Sequence, residues 1–457
     1  MTPSAQLQAV IDLLETVARA DRPADGVVSA WFKARRYVGA KDRRAIAERL
    51  YGILRRRARL DWWLERVSFP VTARNRLLAD LAIRERAMPE ALLPLFGQEA
   101  HSPEPLSSGE RRLIGRLSGQ PLFHHDMPDW VHGEYPDWVD AALRAAFGGE
   151  FAAEVAAMRD EAPVDLRVNT LKATREAAQA ALAADGIVAL PTRWSPLGLR
   201  LSARVALSAQ KAFRDGLVEV QDEGSQLVAL LADARPGQAV VDYCAGAGGK
   251  TLALAAAMAN KGRLVACDVY ENRMARAQER IRRAGVHNVT RRLLGVEGDK
   301  WVKRNAGSFD RVLVDAPCSG TGTWRRNPDA KWRLRPGDLE ALVEVQAGIL
   351  AKAARLVRPG GRLIYATCSV LPAENEAQVE RFLTSEPGFA PLSIEAIWRD
   401  TVGGEAPGDG PWLRLSPARH GTDGFFVAAM ARSDGGAAAA DEADHQRDDE
   451  QHQEDEE

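Results

Sequence analysis

Hydrophobic residues recur at helical spacing in the first part of the chain. Two runs, at residues 10–17 and 46–54, place apolar side chains every three or four positions, as one buried face of a helix requires. Proline and glycine interrupt residues 68–125, which predicts short helices and loops there. We therefore expect residues 1–145 to form an all-helical domain.

A mixed pattern follows in residues 146–232. An alanine-rich segment predicts a helix at 174–184, and a terminating Asp-Gly pair comes directly after it. Strand-like segments flank this helix at residues 165–171, 187–190 and 199–201. The sequence thus predicts a small α+β domain.

From about residue 235, short apolar runs alternate with helical segments. Fully buried parallel strands with crossover helices have this pattern. Three of the runs end in an aspartate, namely Asp242, Asp268 and Asp315. Ligands of doubly wound sheets bind outside the carboxyl ends of the strands. We therefore predict a Rossmann-like α/β domain over residues 233–432, with its site at that edge.

The formal net charge of −2 combines two unlike regions. Residues 433–457 contain eleven acidic residues and one arginine, so the rest of the chain carries a net charge of +8. A basic body favours an anionic partner such as nucleic acid, although a solvated surface of mixed charge is the alternative. The acidic segment has no Phe, Tyr or Trp and is predicted to be disordered.

The sequence predicts a cytoplasmic protein that holds no metal. It contains no uninterrupted apolar stretch of about 18 residues, so no membrane span is expected, and its first residues lack the pattern of a secretory signal. None of the four cysteines lies in a Cys-x-x-Cys pattern, which favours free thiols in a reducing compartment. The neighbours His124, His125 and Asp126 do not favour a metal site, because three adjacent loop residues rarely close a coordination shell.

A glycine-rich turn follows the first apolar run of the α/β domain. It reads Cys-Ala-Gly-Ala-Gly-Gly-Lys at residues 244–250 and opens an apolar helix, so the backbone can approach a ligand and offer free amides. A P-loop would need glycine at position 244, where Cys244 stands, which argues against an NTPase. Asp268 lies about twenty residues beyond the glycines, where a ribose-binding acid is expected. Asp299 is placed to accept from an adenine amino group, and a nicotinamide nucleotide is the rival ligand.

Two further motifs place a thiol just past a strand end. Cys318 lies in Asp-Ala-Pro-Cys-Ser-Gly at residues 315–320, and Cys368 lies in Thr-Cys-Ser at residues 367–369. Carbon 5 of cytosine becomes nucleophilic when a thiolate adds to carbon 6, which requires a reactive thiol and a carboxylate such as Asp315 beside the ring. Two cysteines could divide the labour between attack and elimination. Their spacing does not say which does which.

Together these motifs resemble the RsmB/Nop/NSUN family of RNA 5-methylcytosine methyltransferases. The matching segments are residues 244–251, 268, 315–320, 325–332, 367–369 and 420–426. The resemblance implies that Cys368 is the nucleophile and that Cys318 assists release. It also implies that S-adenosyl-L-methionine is bound by Cys244, Ala245, Gly246, Ala247, Gly248, Gly249, Lys250, Asp268, Asp299 and Asp315.

The resemblance continues upstream. Residues 167–170 and 221–226 match family segments that precede the catalytic domain, and residues 41–44 and 60–63 are similar to the NusB-like RNA-binding domain of the bacterial RsmB (Sun) branch. That branch implies a monomeric class I methyltransferase acting on 16S rRNA. One departure is that Gly246 and Ala247 stand where the family usually has Ala and Pro, so the loop loses a rigid residue.

A cluster of cations with an aromatic residue follows Cys318. Arg325, Arg326 and Lys331 are predicted to contact RNA phosphates, and Trp332 to stack on a base. The alternative is that Trp332 packs in a core while the arginines are solvated. Two rivals to the rRNA function stay open, namely an enzyme acting on tRNA or DNA and a non-catalytic ribosome-assembly factor.

Overall fold

The computed structural model describes residues 1–97, 99–295, 299–408 and 410–434, and for residue 299 only the backbone. Two compact units make up the chain. The first contains Met1–Glu161 and Trp324–Pro336, and the second contains Ala162–Thr323 and the chain from Gly337 onward. The predicted domain limits, 1–145, 146–232 and 233–432, remain predictions. The predicted disordered tail lies outside the described residues from position 435 on.

The first unit is helical as far as Glu161, as its apolar periodicity predicts. Its apolar faces meet in one core that includes Leu13, Leu50 and Ile53. Side chains of Thr2, Thr72 and Ser107 cap the helices that follow them. The NusB-like character of this unit remains a prediction. The helices are α1 (Pro3–Arg19), α2 (Ala24–Ala34), α3 (Ala40–Arg55), α4 (Arg57–Arg66), α5 (Ala73–Arg84), α6 (Pro89–Leu92), α7 (Ser108–Leu117), α8 (Asp129–Gly133), α9 (Asp140–Phe147) and α10 (Phe151–Arg159).

The second unit begins with a small antiparallel sheet of order β2-β3-β1-β4. Alternate side chains of its strands, among them Leu166 and Leu199, are buried in a core shared with Leu182. Thr174 caps the alanine-rich helix. This confirms the predicted α+β fold. The elements are β1 (Asp165–Val168), α11 (Arg175–Ala184), β2 (Ala189–Pro191), β3 (Gly198–Leu201), α12 (Lys211–Arg214) and β4 (Val218–Val220).

A larger, mostly parallel sheet follows. The elements of this part that precede residue 324 are α13 (Glu223–Leu231), β5 (Ala239–Asp242), α14 (Gly249–Ala257), β6 (Arg263–Asp268), α15 (Glu271–Ala284), β7 (Val289–Leu293), α16 (Asp299–Arg304) and β8 (Phe309–Asp315). The rest are α17 (Ala330–Arg333) in the first unit, α18 (Pro336–Ala354), β9 (Val357–Thr367), α19 (Glu376–Ser385), β10 (Phe389–Pro391), α20 (Ile394–Thr401), β11 (Leu413–Leu415), α21 (Pro417–His420) and β12 (Phe425–Arg432).

The strand order of this sheet is β10-β12-β9-β8-β5-β6-β7, with β11 paired to β12. Strands β7, β6, β5, β8 and β9 run parallel, and β12 is antiparallel to β9. The direction of winding reverses between β5 and β8, which is the point at which doubly wound folds bind ligands. The predicted Rossmann-like fold is thereby confirmed. Asp242, Asp268, Asp315 and Thr367 end four neighbouring parallel strands at one edge.

Among the described residues, no helix has both the length and the apolar character needed to cross a lipid bilayer.

Candidate active site

The glycine-rich turn connects β5 to α14 at the reversal point of the sheet. Gly246 and Gly248 adopt positive φ angles of 56° and 83°, a conformation that costs glycine little. A Cβ on Gly248 would lie 3.1 Å from the Cβ of Ala277, so the turn also passes close to α15. The first turn of α14 has amides without intrahelical acceptors, which suits an anionic group.

Asp242 lies fully buried beneath this turn. Its Oδ2 accepts a hydrogen bond of 2.6 Å from Thr251, while its Oδ1 has no partner among the described residues. Burial raises the pKa of this carboxyl to about 7. A buried acid with an unused oxygen is a suitable neighbour for a cationic ligand group.

Asp268 fixes the turn from the neighbouring strand end. Its Oδ2 accepts from the amide of Gly246 at 2.8 Å, and its Oδ1 accepts from the amide of Tyr270 at 2.8 Å. Each carboxylate oxygen has a second lone pair that can still accept from a ligand hydroxyl. Val269 and Tyr270 expose more than half of their surface beside it, and flat apolar surface of this kind can receive an aromatic base.

Lys250 points away from the turn, toward the end of β8. Its Nζ donates to Asp315 Oδ2 at 2.7 Å. Burial opposes the charged ammonium, but the interactions with Asp315 and Cys368 outweigh burial and raise the pKa of Lys250. Of the residues predicted to bind the cofactor, Lys250 and Asp315 therefore meet as an ion pair beside a thiol.

The two predicted catalytic cysteines lie side by side. The sulfur atoms of Cys318 and Cys368 are 3.4 Å apart, at the carboxyl ends of β8 and β9. The hydrogen bond to Cys368 and burial raise the pKa of Cys318 well above its usual range, and the nearby charge of Glu374 adds to this effect. The pair thus combines one thiol that is held protonated with a second one beside an ammonium group.

Glu374 supports the Cys318 loop from below. This carboxylate is fully buried and accepts hydrogen bonds from the Ser319 amide at 2.7 Å, from the Ser319 hydroxyl, and from Gln346 Nε2 at 3.0 Å. Three donors converge on one buried charge, which holds the loop and keeps the charge solvated by protein groups. Glu374 was not singled out from the sequence.

The adjacent Asn375 supports the Cys368 loop in the same way. Its Nδ2 donates to the carbonyl of Ser369 at 3.0 Å, and its Oδ1 accepts from the hydroxyl of Thr367. The amide of Gly322 donates to the carbonyl of Cys368 at 2.9 Å, which joins the two loops directly. One short turn, residues 372–375, therefore fixes both thiols.

The glycines of two motifs explain why these loops can approach so closely. A Cβ on Gly322 would lie 2.2 Å from the carbonyl oxygen of Gly424, in the segment that the sequence resemblance marked at residues 420–426. The amide of Gly424 donates to the carbonyl of Gly322 at 2.9 Å. The segment 420–426 therefore supports the Cys318 loop through a direct backbone contact between Gly424 and Gly322.

Three further predicted site residues are Cys244, Ala245 and Asp299. Cys244 and Ala245 form the start of the glycine-rich turn, where burial raises the pKa of the Cys244 thiol well above its usual range. Burial also raises the pKa of Cys267, within β6. Asp299 begins α16, but its side chain lies outside the described residues.

The cations predicted to bind RNA after Cys318 belong to the first unit and are largely packed there. Arg325 and Lys331 are buried, and burial lowers the pKa of Lys331 to about 8. Asp329 Oδ2 accepts from the Ala24 amide at 3.0 Å, and Trp332 packs against the helical core with Arg57 over its ring. Trp332 thus packs in a core, as the alternative interpretation of the sequence had it. Arg325, which that interpretation left solvated, is buried.

Two arginines at the start of α4, Arg56 and Arg59, also form ion pairs within the first unit. Arg56 pairs with Asp80 at 3.0 Å, and the buried Arg59 pairs with Glu134 at 2.8 Å. These contacts stabilise the helical packing.

His124, His125 and Asp126 do come together, with candidate ligand atoms within 4.8 Å of one another. Asp126 also forms an ion pair with Arg66 at 2.8 Å. That this group holds no metal remains a prediction.

Comparisons with known proteins identify two family models that match segments of this chain. A family model described as 16S rRNA methyltransferase RsmB/F matches residues 229–431. A second model, described as the ferredoxin-like domain of RsmF/B-like methyltransferases, matches residues 135–208. These matches agree with the large parallel sheet and with the small antiparallel sheet.

Similarity extends over most of the chain. The ribosomal RNA small subunit methyltransferase B of Pectobacterium carotovorum is 32% identical over 410 residues, which cover 87% of this chain and 92% of the relative. The protein of the same name from Sodalis glossinidius is 33% identical over 405 residues, covering 86% and 90%. The crystal structure of PH0851 superposes with a TM-score of 0.75 at 26% identity, covering 94% of this chain and 99% of that one.

Proposed function

The chain belongs to the RsmB/F family of 16S rRNA methyltransferases, and on this premise we propose that it methylates carbon 5 of a cytosine in 16S rRNA through a covalent cysteine adduct. The donor in the proposal is S-adenosyl-L-methionine. The observation that carries it is the pair of sulfur atoms 3.4 Å apart at the edge of the sheet, beside the Lys250–Asp315 ion pair.

In this proposal Cys368 attacks carbon 6 of the cytosine. The ammonium of Lys250 interacts electrostatically with Cys368, and the attack itself requires the thiolate form of a cysteine. Formation of the sulfur–carbon bond makes carbon 5 electron-rich, so that carbon 5 can accept a methyl group. Cys318 is less suited to the attack, because its surroundings favour the protonated thiol.

Asp315 orients the ring in this scheme. One of its oxygens is held by Lys250 at 2.7 Å, which fixes the carboxylate while the other oxygen can accept from the cytosine amino group. The strand end and the ion pair thus position the base before the sulfur attacks. The target cytosine must be unpaired or flipped out to reach this edge.

Cys318 serves the release step. After methylation, the proton on carbon 5 must leave and the bond between Cys368 and carbon 6 must break. The Cys318 thiol, 3.4 Å from the sulfur of Cys368, donates its proton to the departing Cys368 sulfur, and the Cys318 thiolate formed in this way takes the proton from carbon 5. Glu374 and Ser319 hold Cys318 at that distance.

The site has features that fit S-adenosyl-L-methionine, which would supply a methyl group on a cationic sulfur. The unpartnered oxygen of buried Asp242 suits a positive charge, and the amides at the start of α14 suit a carboxylate. Asp268 would accept from the ribose hydroxyls, beside the exposed surface of Tyr270. Asp299 remains the predicted partner of the adenine amino group.

The test is a transfer assay with methyl-labelled S-adenosyl-L-methionine on 16S rRNA, tRNA and DNA, followed by mass spectrometry of the digested product. We expect 5-methylcytidine from 16S rRNA. Label on another atom, or no transfer to any of the three, would contradict the proposed chemistry. Transfer to tRNA alone would retain the chemistry and replace the substrate.

A further inference from the structure

The small sheet has a second face, opposite its apolar core, that carries buried charge. Arg167 on β1 is 3% exposed, and its Nη1 donates to the carbonyl of Gly249 at 2.8 Å. The same nitrogen donates to the side chain of Gln221. A guanidinium from the small sheet thus binds the backbone of the glycine-rich turn.

A second guanidinium binds the same turn from α15. Arg280 Nη1 donates to the carbonyl of Ala247 at 2.9 Å, and its other nitrogens donate to Glu219 at 3.0 and 3.2 Å. Glu219 lies on β4, is 2% exposed and also binds Arg283. The small sheet therefore positions both arginines, one directly and one through Glu219.

The turn needs such support because its own sequence provides little. Gly246 and Gly248 both adopt positive φ, and glycine loses more backbone entropy on ordering than any other residue. Ala247 between them has ordinary backbone freedom. Hydrogen bonds from charged donors to the carbonyls on either side of Gly248 restrict the turn from outside.

These bonds also fix the direction of two amides. A trans peptide is planar, so its N–H points opposite to its carbonyl. Since Arg280 binds the carbonyl of Ala247, the amide of Gly248 points away from that arginine, and it donates to the carbonyl of Ala245 at 2.9 Å within the turn. Since Arg167 binds the carbonyl of Gly249, the amide of Lys250 points away likewise, at the start of α14 where helices receive anions.

We propose that Arg167 and Arg280 are positioning residues that hold the cofactor turn in its binding conformation, and that the small domain acts as a brace for cofactor affinity. The inference rests on the proposed function only in taking S-adenosyl-L-methionine as the ligand of this turn. The two guanidinium groups that contact the turn, those of Arg167 and Arg280, also bring positive charge next to it, which favours the ligand's carboxylate.

The test measures binding of S-adenosylhomocysteine to the full-length protein by calorimetry. For Arg280→Gln we expect the dissociation constant to rise about tenfold, because one charge-assisted bond to the turn is lost. Turnover at saturating cofactor should stay within about twofold, because Arg280 contacts no reacting group. The matched control is Arg276→Gln, an exposed position one turn earlier in α15, which should bind like wild type.

A structural defect alone would behave differently. Arg280→Lys keeps the charge but loses the planar fork, so it should weaken binding while thermal unfolding without ligand stays close to wild type. Unchanged affinity in both Arg280 variants would overturn the inference. If the wild-type protein itself failed to bind S-adenosylhomocysteine, the proposed cofactor would be wrong, so the two failures are distinguishable.

Discussion

The two loops that carry the thiols begin alike but lie beside different charges. Both leave a parallel strand at the same sheet edge, both place a serine after the cysteine, and their sulfur atoms are 3.4 Å apart. Yet the Cys318 loop lies over the buried carboxylate of Glu374, whereas Cys368 lies near the ammonium of Lys250. Neighbouring thiols therefore experience charges of opposite sign.

This difference suggests how one pocket can contain a nucleophile and a proton carrier of the same chemical type. The hydrogen bond to Cys368, burial and the charge of Glu374 raise the pKa of Cys318. Cys368 instead interacts with the ammonium of Lys250. Local sequence does not distinguish the two roles, because both charges come from distant segments of the chain.

The largest expected effect is the loss of the thiol beside the ammonium. Cys368→Ala should lower methyl transfer at least about a thousandfold, because no covalent route to carbon 5 remains. Single-turnover transfer to 16S rRNA measures this, with Cys267→Ala, which lies within β6, as the control variant. Near-normal transfer by Cys368→Ala would reverse the assignment of the two loops.

Loss of the other thiol should give a different defect. In Cys318→Ala, attack remains possible but release is slow, so steady-state turnover should fall about a hundredfold. The protein should remain attached to RNA, which denaturing gel electrophoresis detects as a shifted band. The double variant Cys318→Ala with Cys368→Ala is the control and should show no shifted band. If Cys318→Ala gave no adduct either, the release role would be wrong.

The fold could be predicted from the sequence to a large extent, because periodicity is a local signal. Strand ends at Asp242, Asp268 and Asp315 were visible as apolar runs closed by an acid. The small sheet was less evident, since its β4 has only three residues and its charged face resembles a solvated one.

The candidate site could be predicted only in part. Glu374 and Asn375 follow a proline in a polar stretch that is typical of an exposed turn. Only the pairing of β8 with β9 brings these two residues beneath both thiols. The cations after Cys318 were predicted to contact RNA, because composition cannot distinguish a buried Arg325 from a solvated one. Such distinctions depend on tertiary contacts.

A smaller effect is expected from the support beneath Cys318. Glu374→Gln keeps the shape of the side chain but replaces one acceptor oxygen with an NH2 group. Because three donors converge on the carboxylate, this NH2 group would face a donor and one hydrogen bond would be lost. Steady-state turnover should fall about tenfold, with some RNA adduct accumulating. The matched control is Glu380→Gln, an exposed position on α19. An unchanged rate in Glu374→Gln would mean that the loop holds Cys318 without the charge.

The smallest effect is expected in the reactivity of the two thiols toward alkylation, measured on the protein without RNA. Alkylating agents react with thiolates, so a thiol with a raised pKa reacts more slowly at a given pH. Because the pKa of Cys318 is raised, a smaller fraction of this thiol is ionised at pH 8 than in an ordinary cysteine. At pH 8, iodoacetamide should therefore modify Cys368 about tenfold faster than Cys318, as measured by peptide mass spectrometry. Since the two sulfur atoms are adjacent, a large difference in access is not expected, and equal rates would show that the charges around the two loops do not separate their roles.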